Sequence, residues 1–169
     1  LRVQTTSSPA QVLAALNADL VTRSQAGVFC TLHYLMLDLN TGDLTSANAG
    51  HFPAIRFREG DTATFGDASG PPLGVVESAR WTEAKTTLNH GEALLLYSDG
   101  IVEARFGEAM RTDDAYVEFG IAGIEKALAG EPDANPRRVI EIVDEAVMEY
   151  CAPGHPHDDC TMIALRYFG

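Results

Sequence analysis

An α+β domain built on antiparallel strands is what this sequence predicts. Strand-like segments arrive in a run instead of alternating with helices, turn signals join them as hairpins, and helical patterns are confined to the start and the last third of the chain. The 169 residues, 46% of them hydrophobic, suffice for one domain with a sizeable core.

The first helix is expected after Ser8. Ser8 caps, Pro9 takes the first helical position and Gln11 closes a capping box, after which Val12, Leu13, Leu16 and Leu20 form one apolar stripe. A long strand is expected over 27–39. It is apolar on both faces, as in Leu35-Met36-Leu37, which places it between two layers. Asn40-Thr41-Gly42-Asp43 then turns the chain into a hairpin partner, Leu44 to Ala49. Ala54 to Arg58 is a short strand closed by the turn Glu59-Gly60-Asp61, and Ser69 to Gly74 is irregular. Arg80 to Leu88 reads as an exposed strand and Ala93 to Tyr97 as a buried one. Helices follow over 117–128 and 136–150. For the second, Asn135 caps, Pro136 fits the first turn, and Val139, Ile140, Val143, Val147 and Tyr150 share a face. Thr161 to Phe168 is the closing strand.

Charge narrows the function. A net charge of −12 repels phosphate backbones and acidic membrane surfaces, which argues against nucleic-acid binding. No apolar run approaches the roughly 20 residues of a membrane span, so no membrane insertion is expected. Cys30, Cys151 and Cys160 are odd in number and irregular in spacing, which implies no disulfide framework and points to a reducing, cytoplasmic compartment. Cys30 and Cys160 lie in or beside apolar strands, where burial is expected.

Two acidic turns carry the chemistry. Tyr97-Ser98-Asp99-Gly100 ends a very apolar strand, so a rigid element holds Asp99, and Gly100 allows a tight turn and a close backbone approach. Asp158-Asp159-Cys160-Thr161 precedes the final strand. Paired carboxylates repel one another and stay ionised most easily beside a cation or donors, and hard oxygens suit Mg²⁺ or Mn²⁺. Each motif has an ordinary reading too, as a turn or a local cap. His155, His157, Asp158 and Cys160 offer zinc-type donors, but in one short stretch without a second knuckle. Ser98 lacks the Gly-x-Ser-x-Gly context of a catalytic serine.

Four motifs occur in order: Asn48-Ala49-Gly50-His51-Phe52-Pro53, Pro72-Leu73-Gly74, Leu96-Tyr97-Ser98-Asp99-Gly100-Ile101-Val102-Glu103-Ala104, and Asp158-Asp159-Cys160-Thr161. This series resembles the SpoIIE/RsbU subgroup of the metal-dependent protein phosphatases, the protein phosphatase 2C-like (PPM) family, over essentially the whole chain. The resemblance implies an α-β-β-α sandwich of two antiparallel sheets flanked by helices. It also implies hydrolysis of phosphoserine or phosphothreonine on a protein, here an anti-sigma-factor antagonist in a bacterial partner-switching pathway. In the intact domain two Mn²⁺ or Mg²⁺ ions are implied. Asp99 and Asp158 match the family's metal ligands, Gly100 stands beside Asp99, and Asp159 is a supporting acid. His51 replaces an Asp that serves a third metal in wider family members, so it orients substrate or water, or packs in its hairpin.

One departure matters. The family's bridging Asp lies in a Gly-Asp-x-x-Gly-type motif that is not found here, and Gly42-Asp43 and Gly66-Asp67 sit in the wrong places. The expectation is that the first strands lie upstream of Leu1. Residues 1–169 then form one domain truncated at its N-terminus, able to pair with a second copy as a homodimer. The alternative function is a catalytically inactive, phosphatase-like regulatory or binding module.

Overall fold

A computed structural model describes residues 8–23, 27–106, 111–112, 115–129, 131 and 135–169. The opening segment 1–7 lies outside the described residues. The chain divides into two compact units. Among the described residues, one comprises those within 8–53, 64–90 and 169, the other those within 54–63 and 91–168.

In the first unit, helix α1 (Pro9–Arg23) begins as its sequence dictates. The Ser8 amide donates to Gln11 Oε1 at 3.0 Å, and the Val12 amide donates to the Ser8 carbonyl, also at 3.0 Å. The stripe works: Val12 and Leu13 are buried, while Leu16 and Leu20 are partly covered. Its target is a three-stranded antiparallel sheet in the order β1 (Leu32–Leu37), β2 (Asp43–Ala49), β5 (Glu83–Thr87). The β1–β2 hairpin pairs Leu32 with Ala49 and Leu37 with Leu44. Leu13, Ala47, Ala49, Leu73, Ala79 and Trp81 form one core cluster. Asn17, 2% exposed, is the polar residue on the buried face of α1. Its side chain accepts from the Gly74 amide (2.8 Å) and donates to the Val76 carbonyl (3.0 Å), so an otherwise irregular loop is bound to the helix.

Strand β1 corrects an expectation. It covers only Leu32–Leu37, and of its side chains only His33 is buried, with Met36 40% exposed. An edge position explains this, because β1 pairs on one side alone among the described strands.

The second unit holds a four-stranded antiparallel sheet in the order β4 (Asp61–Phe65), β3 (Ala54–Arg58), β6 (Ala93–Tyr97), β9 (Met162–Arg166), with the end of β4 crossing into the first unit. Strand β4 was not expected. Asp61-Thr62-Ala63-Thr64-Phe65 is short and mostly exposed, and it exists because Glu59 (φ 53°) and Gly60 (φ 87°) take left-handed conformations that fold it back on β3. Strand β6 is as buried as its sequence requires. After it come the four-residue helix α2 (Asp99–Val102), the two-residue strands β7 (Arg111–Thr112) and β8 (Ala115–Tyr116), and helices α3 (Gly120–Leu128) and α4 (Pro136–Cys151). Helix α3 starts three residues later than its apolar pattern suggests, since Val117 is exposed and the backbone turns at Gly120 (φ 67°).

Helix α4 follows its sequence closely. Asn135 Oδ1 accepts from the Arg138 amide at 3.0 Å, and Pro136 opens the helix. Of the expected face, Val139, Val143 and Val147 are buried, but Ile142 and Cys151 complete it while Ile140 and Tyr150 are only partly covered, because the helix packs against both α3 and β9. Each of the larger buried side chains contributes about 1.5–3 kcal/mol of burial. The result is the α+β class with two antiparallel sheets and helices. No helix among the described residues is long and apolar enough to cross a membrane.

Candidate metal centre

The four motifs are joined in pairs, each pair within one unit. In the first unit the Asn48 side chain closes its own turn. Its Oδ1 accepts from the His51 amide (2.8 Å), and its Nδ2 donates to the carbonyls of His51 (2.9 Å) and Gly66 (2.7 Å). Gly50 has φ 72°, and a Cβ there would lie 2.8 Å from Pro72 Cγ, so the second motif rests directly on the first. His51 Nδ1 lies 3.2 Å from Thr31 Oγ1. His33 is buried beside this turn, with neither ring nitrogen in a hydrogen bond of normal geometry. Burial, followed by the nearby His51, lowers its pKa to about 4, so the ring is neutral near pH 7.

In the second unit the two aspartate turns meet. Asp99 opens α2 immediately after β6, and Asp158 stands just before β9, the neighbour of β6 in the sheet. Sheet pairing therefore brings the chain from the two motifs together: Tyr97 faces Met162, and the Ser98 amide donates to the Thr161 carbonyl at 2.9 Å. The approach beyond that point depends on Gly100. A Cβ at this position would lie 2.5 Å from the Asp159 carbonyl oxygen and 3.2 Å from that of Asp158. The close approach read from the sequence is thus present, but the tight turn is not. Gly100 has no positive φ and lies in the first turn of α2.

Ser98 joins the same contact. Its hydroxyl donates to the Asp159 carbonyl (3.0 Å) and accepts from the Thr161 amide (2.9 Å). The Cys160 thiol donates to the Gly100 carbonyl at 3.4 Å. Burial raises the thiol pKa, and the nearby Asp144, Cys151, Asp158 and Asp159 add to the effect, so it stays protonated. Cys160 and Cys30 are nevertheless exposed residues, and only Cys151 is buried, which corrects the expectation for both. They occupy the short irregular lead-ins to β9 and β1, where the apolar strands they precede do not enclose them.

Asp99, Asp158 and Asp159 are exposed, and each of the first two accepts one hydrogen bond from the amide that follows it: Gly100 at 3.0 Å and Asp159 at 2.7 Å. Among the described residues no group of three or more His, Cys, Asp or Glu side chains is placed to hold a metal ion, and this includes the zinc-type set at His155, His157, Asp158 and Cys160. The donors therefore do not fit a closed protein cage. Two exposed carboxylates on touching turns are compatible with a hydrated hard cation, since Mg²⁺ keeps several waters and is commonly held by one or two carboxylates plus phosphate oxygens. His51 belongs to the other unit.

Two antiparallel sheets with helices, and an Asp-Gly motif seated on an Asp-Asp motif, are the arrangement that the resemblance to the metal-dependent protein phosphatases implies. The chain belongs to the SpoIIE family: the family model described as Stage II sporulation protein E (SpoIIE) matches residues 2–168. It is 24% identical to the phosphoserine phosphatase RsbU of Bacillus subtilis over 159 residues, covering 94% of this chain and 45% of that protein. Among solved structures it resembles the SiaA-PP2C domain of Pseudomonas aeruginosa (TM-score 0.78, 16% identity, 96% of this chain and 61% of that one). It also resembles the manganese-presoaked phosphatase domain of SpoIIE from Bacillus subtilis (TM-score 0.68, 19% identity, 99% of this chain and 69% of that one). At these identities the structural likeness establishes the fold. The chain spans less than half the length of the curated relatives it matches.

Proposed function

We propose that this chain is the catalytic domain of a metal-dependent serine/threonine protein phosphatase, with Asp99 and Asp158 as carboxylate ligands of its Mn²⁺ or Mg²⁺. The observation that carries this reading is the seating of Gly100 on the Asp158-Asp159 backbone, which holds two exposed carboxylates on touching turns. Membership of the SpoIIE family and the naming of RsbU as a phosphoserine phosphatase support it. The proposed substrate is phosphoserine or phosphothreonine on a protein, and the resemblance to the SpoIIE/RsbU subgroup suggests an anti-sigma-factor antagonist.

When bound, divalent cations supply an activated water and neutralise phosphate charge. The chain's own part is to fix Asp99 just after β6 and Asp158 just before β9, with Asp159 beside them. Cations held there would also reconcile a net charge of −12 with an anionic substrate. Neither neighbouring nucleophile is poised for attack. The Ser98 hydroxyl is engaged twice, and the Cys160 thiol donates to the Gly100 carbonyl. This supports direct hydrolysis without a covalent phosphoenzyme.

A second reading, a phosphatase-like binding module without turnover, is favoured by one observation: no third ligating group joins the pair among the described residues. Hydrolysis of a phosphoserine peptide by the full-length protein separates the two. The enzyme reading expects turnover with Mn²⁺, none with EDTA, and loss of at least 10³-fold on Asp99→Asn. Binding of the phosphopeptide with no turnover under Mn²⁺ or Mg²⁺ sinks it in favour of the module.

A further inference from the structure

We propose that Ser98 is a positioning residue for the metal site, its hydroxyl fixing the separation of Asp99 and Asp158; this rests on the phosphatase reading above. Ser98 occupies the N-cap position of α2 with extended backbone (φ −85°, ψ 168°), the usual place for a serine to cap its own helix. It makes no side-chain cap there. A capping bond is typically worth ~1 kcal/mol, and here the hydroxyl is directed elsewhere. It bridges 60-odd residues of chain, donating to Asp159 and accepting from Thr161, while the Ser98 amide donates to the Thr161 carbonyl.

Three hydrogen bonds from one residue thus tie the turn bearing Asp99 to the turn bearing Asp158. The two flanking contacts work in the same sense. Gly100 touches the Asp159 carbonyl group, and Cys160 donates to the Gly100 carbonyl. Both aspartates reach solvent, so packing around their side chains does little to hold them. What fixes their spacing is the backbone beneath, and Ser98 is its cross-link. The hydroxyl touches neither substrate nor metal in this account. It acts through the two peptide segments, as outer groups do when they orient ligands.

The test is Mn²⁺ binding by titration calorimetry on the full-length protein, alongside the Mn²⁺ concentration needed for half-maximal activity. Ser98→Ala is expected to weaken Mn²⁺ binding roughly 10- to 100-fold, the usual range for outer groups of a metal site. Ser98→Thr keeps the hydroxyl in an extended conformation that threonine adopts readily, and should stay within about threefold. Ser98→Cys, a near-isostere with a weaker and longer hydrogen bond, should fall between them and serves if the alanine variant does not fold. Asn135→Ala, which removes the α4 cap, controls for general destabilisation and should leave Mn²⁺ affinity unchanged. Native affinity in Ser98→Ala, with Asp99→Asn abolishing binding, overturns the role of Ser98 and leaves the metal reading standing. Native affinity in Asp99→Asn overturns both.

Discussion

Replacing Gly100 with alanine leaves every carboxylate in place and perturbs only the contact between the two aspartate turns. The new Cβ would sit 2.5 Å from the Asp159 carbonyl oxygen and 2.9 Å from its carbon. Ordinary contact begins near 3.4 Å, so the turns must separate by about 0.9 Å. Both partners are backbone, and no side-chain rotation can relieve the clash. Overpacking of this kind typically costs ~1–3 kcal/mol. For a chain of 169 residues that corresponds to a fall in Tm of roughly 2–12 °C. Catalysis should suffer more, since a misplacement of ~1 Å in a reacting constellation commonly costs ~10²-fold. The assay is kcat/KM on a phosphoserine peptide at saturating Mn²⁺, with Tm measured on the same samples. Gly60→Ala is the control, because φ 87° strains an alanine there while its Cβ meets nothing closer than Ala129 O at 3.5 Å. Gly100→Ala retaining kcat/KM within twofold of native would refute the argument that the turn contact sets the site.

Other expectations follow from the same geometry. Removing the α4 cap by Asn135→Ala should lower stability by ~1 kcal/mol in urea unfolding without altering the unfolding slope. His33 should make folding acid-sensitive: its pKa is about 4 in the folded chain against an ordinary 6.5, so its neutral form stabilises fully above 6.5 and that contribution is lost as pH falls towards 4. The shift corresponds to ~3 kcal/mol at most. His33→Phe should flatten the difference in that window, and parallel stability curves for the two proteins between pH 6.5 and 4 would contradict it. Asn48→Ala removes three hydrogen bonds, two that close the Asn48–His51 turn and one to Gly66, and should destabilise by ~2–4 kcal/mol, read as a fall in Tm.

Much of the fold was legible because its signals are local. Ser8, Pro9 and Gln11 announce α1 within four residues, and Asn135 with Pro136 announces α4 in two. The hairpin after Leu37 and the buried strand ending at Tyr97 are likewise written in adjacent residues. What escaped depends on partners distant in sequence. The exposure of β1 reflects which strands flank it, and β4 carries too little apolar character to be seen before its turn places it. The same division runs through the site. Asp99 and Asp158 stand out as residue types in context, but the groups that hold their turns together do not. Ser98 reads from the sequence only as a poor catalytic serine; its actual partners lie at Asp159 and Thr161. Only the sheet pairing of β6 with β9 makes that cross-link readable. Asn48 is the parallel case, its amide reaching Gly66 through a fold-dependent contact.

The most direct test of the central claim is a double-mutant cycle on Mn²⁺ affinity in the full-length protein, using Asp99→Asn and Asp158→Asn. If both carboxylates hold the same metal site, each single change removes most of the binding and the double change adds little, giving strong non-additivity. Independent, additive losses, or native affinity in either single variant, would contradict a site shared by Asp99 and Asp158.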